Sequence, residues 1–130
     1  MRHLWWIVFA LAFSIGHQAS ADPYSDCIDA NATNAAWADC TETELKRQEA
    51  LLTAAWKKAS QSMKRFSEEG FKMLLEEQRA WIRYKDKACA FFGAGLFGRE
   101  GTVLHYGSCM AKIISGRTSD LTSLEEFVSK

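Results

Sequence analysis

Four cysteines, Cys27, Cys40, Cys89 and Cys109, limit this 130-residue chain to folds in which distant segments meet. Whether they cross-link depends on the compartment, and the N-terminus addresses that. Met1-Arg2-His3 is followed by an unbroken apolar run from Leu4 to Ile15 and then by Gly16-His17-Gln18-Ala19-Ser20-Ala21. A basic start, an apolar run and small residues in an A-x-A arrangement form a secretory signal peptide, predicted to be cut after Ala21. The expected organisation is a signal peptide over 1–21 and a single domain over 22–130, periplasmic or secreted. The apolar run is 12 residues long, short of the roughly 20 that a membrane helix needs. No later segment is apolar enough to span, so no membrane span is expected after cleavage. In an oxidising compartment four cysteines in a small domain read as two disulfides.

Composition narrows the partner. Without the leader, 15 basic residues face 16 acidic ones, a balance that calls for neither nucleic acid nor an anionic membrane. Two of the three histidines leave with the leader, and only His105 remains. There is no C-x-x-C, since 12 residues separate Cys27 from Cys40 and 19 separate Cys89 from Cys109. Those spacings do not suit a zinc site, and neither metal nor cofactor is expected.

The fold class is all-α. One proline, Pro23, occurs in the mature chain, no segment alternates like a strand, and Ala, Leu, Lys, Glu and Gln dominate the middle. Thr41-Glu42-Thr43-Glu44 has the form of a capping box and is expected to open the first long helix. Leu45, Leu52, Trp56, Ala59, Met63 and Phe66 then fall on one stripe. Ser67 caps a second helix with Glu68 and Glu69 in its first turn. Its stripe is Phe71, Leu74, Leu75, Trp81, Ile82, Ala88, Cys89 and Phe92, a span of about 39 Å at 1.5 Å per residue. Gly93, Gly95, Gly98 and Gly101 end it. A last helix from about Thr102 to Phe127 buries Val103, Tyr106, Met110, Ile113, Ile114, Leu121 and Leu124, with Gly107 as a weak point. A short helix around Cys27, turned by Asn31 to Asn34, precedes the others. The expected architecture is therefore a small antiparallel bundle of three long helices plus a short N-terminal one.

Four cysteines allow three connectivities. On one unbroken helix Cys27 and Cys40 would lie about 20 Å apart, beyond the reach of a disulfide. A reversal at Asn31 to Asn34 would bring them together, and the glycine loop would do the same for Cys89 and Cys109. These two pairs are favoured.

A family resemblance rests on particular residues. Gln78 to Cys89 reads QRAWIRYKDKAC, Arg117 and Leu121 follow Cys109 at eight and twelve places, and Glu49-x-x-Leu52-Thr53-x-x-Trp56 follows the second cysteine. In this order they make the chain resemble the LprI-type lysozyme-inhibitor family of small bacterial envelope proteins, from Cys27 to Leu121. Thr53, Trp56 and Ile114 depart from the residues usual there, which are asparagine, tyrosine and threonine.

The resemblance implies a lysozyme-like muramidase as partner; the alternative is another envelope protein, served by a general interaction or stress protein acting as chaperone or assembly partner. Neither reading makes the chain an enzyme. His105 and Ser108 lie three residues apart without a recognisable orienting acid. Two candidate surfaces emerge. The loop Gly93 to Gly101 carries Leu96, Phe97 and Arg99, although the same composition suits an ordinary turn. Arg79, Arg83 and Tyr84 lie on the second helix, where ion pairs of the arginines with Glu76 and Asp86 are the plainer expectation. Trp81 is expected to pack beside the Cys89 disulfide, and Arg117 to form a partly buried pair with Glu49 or Asp86. The Asn31-Ala32-Thr33 acceptor is idle in a bacterial protein, and no oligomeric state follows from the sequence.

Overall fold

The structure, a computed structural model, describes residues 22–130, so the expected signal peptide lies outside the described residues. The described residues are mostly helical and contain no strands. Asp22 caps α1 (Pro23–Asp29), accepting from the Tyr24 amide, and proline occupies the first helical position, where its missing N–H costs nothing. After the turn at residues 30–33, α2 (Asn34–Phe66) runs for 33 residues, about 50 Å. Ser67 breaks it and caps α3 (Glu68–Ala88), its hydroxyl accepting from the Gly70 amide. Two short helices, α4 (Ala90–Gly93) and α5 (Gly98–Glu100), and one π turn (Gly101–His105) then lead into α6 (Tyr106–Val128).

Helix α2 is the spine, meeting α6 along most of its length and α3 at a second face. Thr41 on α2 reaches Val103 and Gly107, while Ser62 reaches Glu125 and Ser129. The two helices therefore run in the same direction, packed on each other, with α3 returning antiparallel alongside, an up-down-up bundle. Ala59, Leu74 and Leu121 form the core, flanked by Leu52, Ala55, Trp56, Met63 and Leu124. Disulfides Cys27–Cys40 and Cys89–Cys109, with Cα separations of 5.8 and 5.9 Å, close the favoured pairs. Both lie toward one end of the bundle, because Cys40 neighbours Thr41 and Cys109 lies two residues past Gly107.

Four expectations are corrected. The first long helix opens at Asn34, capped by Thr33, and Thr41 and Glu44 lie buried inside it. A capping box works only where backbone donors are free, and the helix has already supplied their acceptors. The second helix ends at Ala88, with Cys89 as its cap, and only a separate turn continues to Gly93. Phe66, Ile82 and Tyr106, assigned to inward stripes, are exposed. Gly107 is no weak point: a Cβ there would lie 1.8 Å from Thr41 Cγ2, so the glycine permits the close approach of α2 and α6.

Candidate functional site

The disulfide end also carries exposed apolar surface at one of the predicted sites. From Ala88 to Gly98 the sequence, ACAFFGAGLFG, has no charged or hydrogen-bonding side chain. Such a run would ordinarily be core, yet Leu96, Phe97 and Phe91 are 75, 54 and 49% exposed. Local geometry holds them there. Cys89, fully buried, ties the end of α3 to Cys109 on α6, and the chain must double back within the segment between them. Gly95 and Gly98 adopt φ of 78° and 69°, left-handed conformations that other residues enter at a cost.

The tip is shaped from beneath by aromatic rings. Phe92 stands 4.1 Å from Phe91, 5.6 Å from Phe97 and 5.7 Å from His105, centroid to centroid, the last two at separations typical of favourable aromatic pairs. A Cβ on Gly101 would fall 2.4 Å from the Phe97 Cβ, so the π turn begins at a glycine because Phe97 lies against it. Thr102 adds a hydroxyl that donates to the Gly98 carbonyl at 3.3 Å. Leu96, Phe97 and Arg99 are thus brought together in one exposed loop, as the sequence placed them. Sequence reasoning missed Phe91, and it missed His105 and Gly101 as supports. The uncharged run 88–98, longer than the turn it makes, was the signal for Phe91.

Arg79, Arg83 and Tyr84 are all exposed on α3. Among the described residues neither arginine forms an ion pair with Glu76 or Asp86, and Asp86 stands instead 3.6 Å from Lys85. No hydrogen bond, ion pair or aromatic contact joins this set to the loop among the described residues.

Two polar clusters brace the bundle beside these surfaces. Arg117, only 6% exposed, donates from both terminal nitrogens to the Glu77 carboxylate and from Nε to Gln78 Oε1 at 2.9 Å. Its guanidinium lies 5.8 Å from the Trp81 ring centroid, within cation–π range. The expected partners Glu49 and Asp86 are not used. The half-buried Trp81 meets Arg117, a contact the sequence reading did not assign to it. In the second cluster the buried Glu44 accepts from Arg47 Nε and Nη2, both at 2.8 Å, and from Gln48 Nε2 at 2.7 Å. The Arg47 hydrogen bond is the chief reason that the Glu44 carboxyl lies below the usual carboxylate range, against the opposing effect of burial.

Tyr24 links α1 to this region, its hydroxyl 3.2 Å from Thr41 Oγ1 and 3.1 Å from Ser108 Oγ. The Ser108 hydroxyl thus meets Tyr24, while the His105 ring packs at a tilt against Phe92. Among the described residues no group of three or more His, Cys, Asp and Glu side chains is placed to hold a metal ion. No described helix is long and apolar enough to cross a membrane.

Fold and site together define a small all-α protein stapled by two disulfides, with an apolar loop presented at the stapled end. The chain belongs to the LprI lysozyme-inhibitor family: the family model described as Lysozyme inhibitor LprI matches residues 27–121, from the first bridged cysteine to the buried Leu121. Comparison with curated proteins and with solved structures gives no match.

Proposed function

We propose that this protein acts outside the cytoplasm by binding a lysozyme-type muramidase and blocking its cleft. The observation that carries the reading is the family match across the disulfide-bonded domain. Two disulfides fit an oxidising compartment and, with the N-terminal signal pattern, an exported product. Muramidases cleave a glycosidic bond between two carboxyl groups in an open cleft. A blocking protein needs a projecting surface that displaces water from that cleft and offers a donor to the acids. Leu96 and Phe97 supply projecting apolar area, and Arg99, exposed beside them, supplies the cation. The loop is the plug in this reading, with Arg79, Arg83 and Tyr84 as the competing surface.

A turbidity assay tests the function. The purified mature protein is titrated into several lysozymes clearing a suspension of bacterial cell walls. Lysis by at least one of them is expected to slow in a saturable manner. Unchanged clearing by every enzyme at a large molar excess would remove the inhibitory reading and leave a general envelope interaction or stress protein.

A further inference from the structure

The charge of this protein is unevenly distributed. Residues 22–45 hold six acidic side chains, Asp22, Asp26, Asp29, Asp39, Glu42 and Glu44, and no Lys or Arg. The rest of the described chain therefore carries a basic excess. Two of the six are neutralised locally, Glu44 by Arg47 and Glu42 by Lys46. Asp26, Asp29 and Asp39 are exposed and form no ion pair among the described residues.

The fold puts α1, with Asp26 and Asp29, at the same end of the bundle as the apolar tip. Helix α1 is pinned to α2 by Cys27–Cys40 and to α6 by the Tyr24–Ser108 contact. Ser25 and Ile28 on α1 line a cavity together with Leu104 and His105. The His105 ring lies 5.7 Å from Phe92 and Phe92 5.6 Å from Phe97, both pairs tilted. Leu104 and His105 therefore lie between α1 and the aromatic rings of the tip. An apolar centre bordered by charge is the usual anatomy of a protein-binding face, and the sign of the border selects the partner.

We propose that the apolar tip and the acidic α1 form one docking face, and that its occupant is a protein whose cleft is rimmed by cationic side chains. The inference rests on the functional reading above and specifies the kind of muramidase that fits: carboxylates in the cleft, where Arg99 enters, and lysines around its mouth, where Asp26 and Asp29 lie. The overall charge of the inhibitor is nearly balanced, so the attraction comes from the local separation of charge. It acts within about a Debye length, ~10 Å at 0.1 M salt.

The test measures binding of a lysozyme in three forms: native, lysine-acetylated, and reductively methylated so that its lysines keep their charge. Wild-type inhibitor is expected to bind the native and methylated forms alike and the acetylated form at least tenfold more weakly. The double variant Asp26→Lys, Asp29→Lys is expected to bind native enzyme at least tenfold more weakly at low salt, with the gap closing at high salt. A second variant, Asp29→Lys, Asp39→Lys, leaves the first turn of α1 intact and covers failure of the first to fold. Tight binding that is indifferent to acetylation and to both charge reversals would overturn the docking face while leaving inhibition standing. If the wild-type protein binds no form and inhibits none, the functional reading itself fails.

Discussion

Arg117 carries a permanent charge to a position 6% exposed, which is tolerable only because every direction its guanidinium faces is answered. Glu77 takes both terminal nitrogens, Gln78 takes Nε, and the Trp81 face lies nearby. The two sides of this pair are unequal, since the Glu77 side chain is 54% exposed and retains water. Removing the acid should therefore cost more than removing the base. Glu77→Ala strands a buried cation and is expected to destabilise by about 3 kcal/mol. Arg117→Met, which fills the same space and leaves a carboxylate that water can solvate, is expected to cost under about 1.5 kcal/mol. Urea denaturation of both variants checks the order, and a larger loss in Arg117→Met would contradict it. That Arg117 needs a partner was legible from its place in an apolar stripe. The partner's identity was not, because Glu77 rather than Asp86 is selected by the rotation and stagger of α3 against α6, which neither helix encodes alone.

At the scale of the elements, the helices and both reversals were legible, because they depend on local chemistry: the Ser67 cap, the apolar stripes and the glycine loop. Two elements were misread for lack of neighbours. Thr41 to Glu44 matches a cap, yet Thr33 had already opened the helix and the match became four interior residues. Gly107 reads as a flaw in α6 until α2 is placed against it, with Thr41 Cγ2 where a Cβ would stand. Gly107→Ala is accordingly expected to cost about 1–3 kcal/mol by forcing the helices apart, although alanine alone favours helix. Adding Thr41→Ser, which deletes the clashing methyl and keeps the hydroxyl, should recover part of the loss. Thermal denaturation of the single and double variants reads this coupling, and additive effects would show that the contact is not the cause. The π turn belongs to the same category, since Gly101 is explained only by the Phe97 side chain lying on it.

Across the whole molecule, the two ends differ in kind. The end away from the disulfides holds the Ala59, Leu74 and Leu121 core and the α2–α3 turn, whereas the stapled end gathers both cross-links, the acidic helix and an apolar loop that the core does not cover. The sequence placed Leu96, Phe97 and Arg99 in that loop and identified the family, but it could not show that Phe91 joins them or that α1 is pinned at the same end. Exposure depends on what the remainder of the chain leaves uncovered, which no single helix encodes. We propose this loop, and not the outer face of α3, as the inhibitory surface. Inhibition constants for two sets of alanine variants decide between them most directly. Leu96→Ala, Phe97→Ala and Arg99→Ala are each expected to weaken inhibition tenfold or more, about 1.4 kcal/mol, with little change in melting temperature for the exposed Leu96 and Arg99 and a modest fall for Phe97, whose ring packs against Phe92. Arg79→Ala, Arg83→Ala and Tyr84→Ala are expected to inhibit like the wild type. Full inhibition by the loop variants, with loss confined to the α3 set, would contradict the account.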